Sequence, residues 1–461
     1  MVDRDIETVF HFYVCVFQIF LFFLNKRQRF MTIYDKRSFL NTSILQKGHQ
    51  HELERFANKY KQIKKPIVLK RKNEVAMTLQ DTCSYKQKCV NVVNPFDDII
   101  ELNTTTKTVH VGGMIEIGKL MNYLYPLGYA LPVVPEFKSL TVGGLIVGGG
   151  GISSSSLNYG YFHYHCIEYT VVLGNGEIIK VSKEKHAELF AALPLSYGTL
   201  GTIVDVKMSI IKIRQNVFLE FESLTSEKDV ENVLKRSKEY DFMEGIMYSK
   251  DRIVMIKGMF VDRLVYPVID NTMWYDEYYY QYINTYSKEG KTSCSMNGLE
   301  YFFRHDRGAY WLGKSLLGDH VIGRTINPFI NHASDKHNMS HSILRRIFDY
   351  KKIIMDDVMI SSSLLSNVIS AVDSTYSIYP LWLCPCRMQQ EETLFINIGI
   401  YGSVGSLKDT IDHNGFMKSI RGSIVKRKND ENHKRYNILR MTYHAVGAFP
   451  KIDEKVNLRF Y

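Results

Sequence analysis

The feature that most constrains this chain is the stretch Pro135 to Ser156 (PEFKSLTVGGLIVGGGGISSSS), which holds six glycines, four of them consecutive, and ends in four serines. Glycine lets the main chain take φ > 0 and lets another group approach it closely. Successive backbone N–H groups in such turns enclose an anion without needing a lysine, and serine hydroxyls add donors that rotate to fit. A flexible linker shares this composition. Here, however, Leu140, Val142, Leu145, Ile146 and Val147 are interleaved with the glycines, which predicts a loop clamped inside a fold. The expected ligand is a phosphate or pyrophosphate.

Two common phosphate-binding spacings do not fit. Gly113 to Lys119 satisfies the P-loop up to its lysine, but Leu120 stands where a Mg²⁺-binding hydroxyl is required. Gly148 and Gly150 are spaced as in the dinucleotide fingerprint, but Ser153 replaces its third glycine. A G-x-S-x-G nucleophile elbow is absent as well. His163 and His165 lie close in sequence to the glycines, and their Tyr-rich context favours a structural role.

The flanks read as many short antiparallel strands with a few helices, an α+β pattern. Ile99–Leu102 and Thr108–Val111 alternate as a hairpin around Asn103–Lys107. Ile117, Leu120, Met121 and Leu124 have helical spacing, ended by Pro126 and Gly128. Tyr169–Leu173 and Glu177–Val181 flank Gly174-Asn-Gly176, a hairpin signal. A short helix over Ala187–Leu193 and a strand over Val204–Ile210 follow. From Asn41 to Lys72 the chain reads as a helix plus linker. Beyond Arg214 a second α+β unit begins, with a strand at Thr393–Ile400. Trp274 to Tyr286 carries six tyrosines, suited either to helix packing or to a lipid-facing surface.

At 461 residues and 45% hydrophobic the chain can form two or three domains. Its net charge of +10 is scattered over Lys64-Lys65, Lys70-Arg71-Lys72, Arg345-Arg346 and Lys426-Arg427-Lys428. That describes solvated faces, not a nucleic-acid footprint. Seven cysteines without zinc-ligand spacing point to a reducing compartment and to no metal site. Val9 to Leu24 is nearly apolar and is followed by Lys26, Arg27 and Arg29. It predicts a single-pass or interfacial membrane anchor with the rest of the chain cytosolic.

Together, Leu140-Thr-Val-Gly-Gly-Leu-Ile146, the Gly/Ser run, Tyr159-Gly160, Leu173–Gly176 and Gly198-Thr-Leu-Gly201 resemble the vanillyl-alcohol oxidase/p-cresol methylhydroxylase type of FAD-binding domain. Within it, the similarity is to the Δ24-sterol reductases. Glu244–Ser249, Tyr301–Arg307 with Trp311, Tyr379–Pro385 and Ile398–Gly402 carry that narrower likeness. The resemblance implies a two-subdomain FAD-binding domain, an α+β cap and an N-terminal membrane helix. The implied boundaries are 1–30 for the anchor, 31–60 for a helix and linker, 61–213 for the FAD-binding domain and 214–461 for the cap, shortened near its end. It also implies an endoplasmic-reticulum membrane location, with membrane lipid and a sterol as partners.

The implied reaction reduces the sterol C24=C25 bond, with NADPH as hydride donor to the flavin and an acid supplying the proton. Non-covalent FAD is expected, because Thr78–Tyr85 lacks the histidine used for covalent attachment. The pyrophosphate would be wrapped by Thr141, Val142, Gly143, Gly144, Leu145, Ile146, Val147, Gly148, Gly149, Gly150, Gly151, Ile152, Ser153 and Ser154. Gly198, Thr199 and Gly201 would lie on the adenine or ribose side. His305 and Tyr401 are the candidates for the acid. Two rival readings are a flavin oxidase of a hydroxylated small molecule and a non-catalytic membrane-associated interaction protein.

Overall fold

The computed structural model describes residues 42–70, 88–148, 151–236, 239–271, 276–311, 314, 353–388, 393–403 and 430–451. Contacts divide the chain into Met1–Glu52 and Leu53–Tyr461. Of the first unit only the start of a helix is described.

That helix, α1 (Thr42–Gln62), is polar by composition, yet Leu53, Phe56, Ala57 and Tyr60 are all buried. Their i, i+3, i+4, i+7 spacing is the narrow apolar stripe of a packed helix. Tyr60 shares a 2.7 Å hydrogen bond with Thr202. The expected linker after the helix instead contains β1 (Ile67–Lys70), which pairs in parallel with β2 (Val90–Val93).

The first half is then built on five antiparallel strands. These are β3 (Ile99–Asn103) and β4 (Thr108–Gly112), followed by α2 (Ile117–Leu124), β5 (Tyr129–Ala130), α3 (Val142–Gly148) and α4 (Ser156–Tyr159). Next come β6 (Cys166–Val172), β7 (Ile178–Ser182), α5 (Ala187–Ala192), β8 (Thr202–Ser209) and β9 (Ile211–Lys212). The main sheet runs β3-β4-β8-β6-β7. Asn103 Oδ1 closes the first hairpin by accepting from the N–H groups of Thr105 and Thr106. Gly176, at φ 80°, closes the second, as its Asn-Gly predicts.

The second half contains β10 (Asn216–Leu224), α6 (Val230–Leu234), β11 (Phe242–Ser249), β12 (Arg252–Val261), α7 (Tyr279–Lys288), β13 (Ser293–Asn297) and α8 (Gly298–Phe302). It continues through β14 (Ile353–Ser361), α9 (Leu365–Thr375), β15 (Leu381–Arg387) and β16 (Leu394–Ser403). Its antiparallel sheet has the order β13-β10-β12-β11-β15-β16-β14. The two-residue period of a strand sorts β11 cleanly. Met243 and Met247 join the core shared with α6 and α9, while Phe242 and Ile246 join the core shared with the first half.

The last helix, α10 (Asp430–Thr442), and the residues after it do not extend the cap. Ala445 and Phe449 pack with Phe56, Tyr60 and Ile67, and Ile67 N donates to Ala448 O at 2.8 Å. The chain therefore returns to its first half. In the tyrosine-rich segment Tyr278, Tyr279 and Tyr280 are buried, so this part serves helix packing and is not an open lipid-facing surface; Trp274 and Tyr275 lie outside the described residues. Among the described residues no helix is long and apolar enough to cross a membrane, and Val9 to Leu24 lies outside them.

Candidate cofactor and active site

The glycine run differs from the loop expected of it, because Val142–Gly148 coils into the seven-residue helix α3. Val142 and Ile146 are fully buried, and Leu145 nearly so. Gly143 allows this helix to touch the sheet. Its N–H donates to Gly113 O at 2.7 Å, and a Cβ on Gly143 would stand 2.8 Å from that same oxygen. Thr141 Oγ1 accepts from Gly144 N at 3.3 Å. Gly148 is different: a Cβ there would meet nothing within 4 Å. The helix thus runs from a glycine spent on packing to one beside open space. Gly149 and Gly150 lie outside the described residues. Gly151 is again tight, since a Cβ would stand 2.4 Å from that of Phe162.

The second expected cofactor segment meets the first. Leu195 N donates to Ile146 O at 3.0 Å, and Tyr197 N donates to Val147 O at 2.8 Å. Leu195, Tyr197 and Gly198 all have φ between 53° and 65°, a region that costs the non-glycine residues energy and tends to mark ligand clamps. Thr199 is buried, and Tyr436 of α10 bonds its hydroxyl. Arg440 donates to Thr199 O (2.6 Å) and to the carbonyls of Pro450, Ala445 and Phe449. Gly201 is packing-bound, with a prospective Cβ only 2.7 Å from Val171 Cγ1.

The serines are committed internally, whereas the sequence suggested free donors for phosphate. Ser153 Oγ bonds Ser155 Oγ, Ser155 Oγ donates to Pro132 O, and Ser156 Oγ accepts from Ser153 N. Ser154 Oγ shares a 3.1 Å bond with Tyr301 OH, Met243 N donates to Ser154 O, and Cys384 Sγ donates to Ser153 O. The run after Ile152 therefore fastens the second half to the first. His165 Nε2 contacts Tyr159 O and His163 stacks on Tyr161, in keeping with structural roles.

At this junction lies a buried polar hub. Arg304 donates to Glu244 through Nε and Nη2, both at 2.7 Å; Trp382 Nε1 donates at 2.9 Å, and His305 Nε2 stands 3.2 Å away. Burial opposes ionisation of Glu244, but Arg304 and His305 outweigh it and hold its carboxyl far below the usual range. Glu136, from the stretch before α3, is buried as deeply but lies 3.6 Å from Arg304 Nη2, and its Oε1 has no hydrogen-bond partner. Burial, only partly offset by Arg304, pushes its pKa up to about 8. Around the hub, Tyr310 stacks on His305 (4.3 Å between centroids) and touches Trp382 (5.0 Å) and Tyr401 (4.7 Å).

Both candidate acids sit here, and both have other commitments. Burial lowers the pKa of His305 to about 4, so its imidazole is neutral at neutral pH, with Nε2 on Glu244. Tyr401 donates to Asp357 Oδ1 at 2.7 Å, an oxygen that Asn397 Nδ2 also reaches at 2.7 Å, and burial drives the phenol's pKa well above its ordinary value. Glu136, Glu244 and Asp357 are not among the site residues that the sequence singles out, although Glu244 opens one of the segments that carry the resemblance. A lone carboxylate between apolar neighbours, as in Leu131-Pro-Val-Val-Pro-Glu136-Phe137, is the signal that could have found the first.

Residues 71–182, which contain α3, match the family described as FAD binding domain. The chain carries an FAD-binding domain. The cradle fits such a group: an open side at Gly148, close backbone packing at Gly143, and a second loop bonded to the helix end. The segment Thr78–Tyr85, on which non-covalent attachment was expected, lies outside the described residues. The chain is similar to the Δ24-sterol reductase of Mus musculus, 29% identical over 69% of this chain and 65% of that protein. It thus spans just under two thirds of that relative. Its match to the Δ24-sterol reductase homolog of Caenorhabditis elegans is 26% identical over 81% of this chain and 80% of that one. A shorter match, 25% identical over 33% of this chain and 27% of the relative, is to L-gulonolactone oxidase 3 of Arabidopsis thaliana. The resemblance read from the motifs is thus found again by comparison.

Proposed function

We propose that this chain is an FAD-dependent reductase of the C24=C25 side-chain double bond of a sterol, with NADPH as hydride donor. The observation that carries this reading is that the likeness to Δ24-sterol reductases runs well past the FAD-binding match, through 69% of the chain and therefore into its second half. When bound, FAD supplies the hydride chemistry. The protein's part is to hold, orient and exclude water. Backbone groups from Thr141 to Ile152, with Gly198, Thr199 and Gly201, are proposed to hold the cofactor without a covalent bond. Tyr310, Trp311, Trp382 and Tyr401 pack as one buried aromatic cluster, which is proposed to lie against the sterol side chain. With its pKa pushed up to about 8, Glu136 keeps its proton at neutral pH and is a stronger acid than the Tyr401 phenol, whereas His305 has no imidazolium proton to give, so Glu136 is the proposed proton donor. Val9 to Leu24 is proposed to anchor the chain to the endoplasmic-reticulum membrane.

Membranes bearing the protein are expected to convert desmosterol to its side-chain-saturated product when given NADPH. Purified protein that stays colourless and takes up no added FAD, or that binds FAD but leaves desmosterol unchanged, refutes the reading. A second reading, a flavin oxidase of a hydroxylated small molecule, draws on the match to L-gulonolactone oxidase 3. It requires reduced protein that reoxidises rapidly in air and is not reduced by NADPH.

A further inference from the structure

Leu264, Val265 and Tyr266 follow one another between β12 and β13 and are exposed by 44%, 51% and 89%. Single exposed apolar side chains need no explanation, but a contiguous group calls for one. The segment is stitched in place. Val265 N donates to Ser295 Oγ at 3.0 Å, Ser295 N donates to Pro267 O at 2.9 Å, and Ile269 N donates to Ser295 O at 2.9 Å. Val268 also bridges Ser295 in parallel, so the segment lies along β13 as an added edge. Tyr266 is thereby held outward on a supported backbone. Arg263 beside it is exposed, while Arg214 is paired with Asp262 at 3.7 Å.

We propose that Arg263 to Pro267 docks on the surface of a phospholipid bilayer containing anionic lipid. Tyr266 would sit at the boundary of headgroups and acyl chains, and Arg263 would meet the phosphates. A tyrosine has the apolar body and polar tip that this boundary favours, and an arginine beside it is drawn to an anionic leaflet. Three side chains fall well short of the roughly 800 Å² per partner that a stable protein interface buries. A lipid surface sets no such minimum, and the exposed Arg263 next to the apolar trio suits an anionic one. The contact also has a direction. β13 leads through Asn297, which caps α8 by accepting from Leu299 N and Glu300 N, to Arg304 in the buried hub. Docking would thus set one edge of the second sheet against lipid.

Because Val9 to Leu24 would hold the chain on vesicles by itself, the test must read depth at the loop, and it needs no turnover. The full-length Tyr266→Trp variant is reconstituted in phosphatidylcholine/phosphatidylserine vesicles with and without acyl-brominated lipid. Wild type, with Trp274, Trp311 and Trp382, supplies the background. The added tryptophan is expected to emit blue-shifted light that brominated lipid quenches roughly twofold or more. Introducing Arg263→Glu should reduce that quenching in anionic vesicles only. Water-like emission that brominated lipid leaves unchanged overturns the proposal. So does a blue shift that instead depends on protein concentration, which would assign the loop to a second copy of the chain.

Discussion

Arg304 reaches both Glu244 and Glu136, and the unequal way it does so sets the protonation of each. It grips Glu244 through two bonds of 2.7 Å and stands 3.6 Å from Glu136. One buried guanidinium cannot offset the desolvation of two carboxylates, so the poorly paired one keeps its proton. The linkage follows in sign. With its folded pKa raised from 4.5 to about 8, Glu136 binds a proton in the folded state that the unfolded chain has released. Its contribution is complete below about pH 4.5 and falls away as pH rises to about 8. The loss is on the order of several kcal/mol. Glu136→Gln removes the titration, so thermal melts should show the variant gaining on wild type between pH 5 and pH 9. An unchanged difference across that range would mean that Glu136 is ionised in the folded protein.

At the scale of elements, α3 and α10 come from positions far apart in sequence and meet at one loop. α3 presents Ile146 O and Val147 O to the N–H groups of Leu195 and Tyr197. α10 presents Arg440, whose guanidinium satisfies the carbonyls of Thr199, Pro450, Ala445 and Phe449. Replacing it with methionine keeps much of the bulk but takes the donor from three buried carbonyls, those of Thr199, Pro450 and Phe449, while Ala445 O keeps Phe449 N, at a cost of about 2–5 kcal/mol. Lysine, a single ammonium, cannot reproduce the planar fork. Arg440→Met is therefore expected to weaken FAD retention by at least about tenfold, the effect of roughly 1.4 kcal/mol passed to the loop. The fluorescence of FAD released on dilution measures it. If FAD affinity stays at the wild-type value while the melting temperature falls, α10 supports the fold without tuning the cofactor loop.

Taken as a whole, the two halves of residues 53–461 share one core. Val109, Ile146 and Tyr169 from the first half belong to the same buried cluster as Phe242, Trp382 and Tyr401 from the second. The Ser153–Ser156 run and the Glu136–Glu244–Arg304 hub tie the halves further. Interfaces this apolar do not open independently. Release of flavin fluorescence and loss of far-UV ellipticity should therefore coincide in one transition. Two separated transitions would show that the halves fold as independent domains.

The amino-acid order by itself determined the local features: the Asn103 and Gly176 hairpins, the helix ended by Gly128, and the likeness of the glycine stretch to an FAD cradle. Each depends on neighbours within a few residues, where turn geometry and side-chain period decide the outcome. The tertiary structure alone decided three matters. It committed the serines to the junction between the halves, returned α10 to the first half, and assembled Glu136, Glu244 and Arg304 in one buried hub. These rest on contacts such as Arg440 with Thr199 and Arg304 with Glu244, between residues far apart in the chain. The burial that neutralises Glu136 while leaving Glu244 ionised arises only when distant segments close around both, and no short window of sequence carries that information.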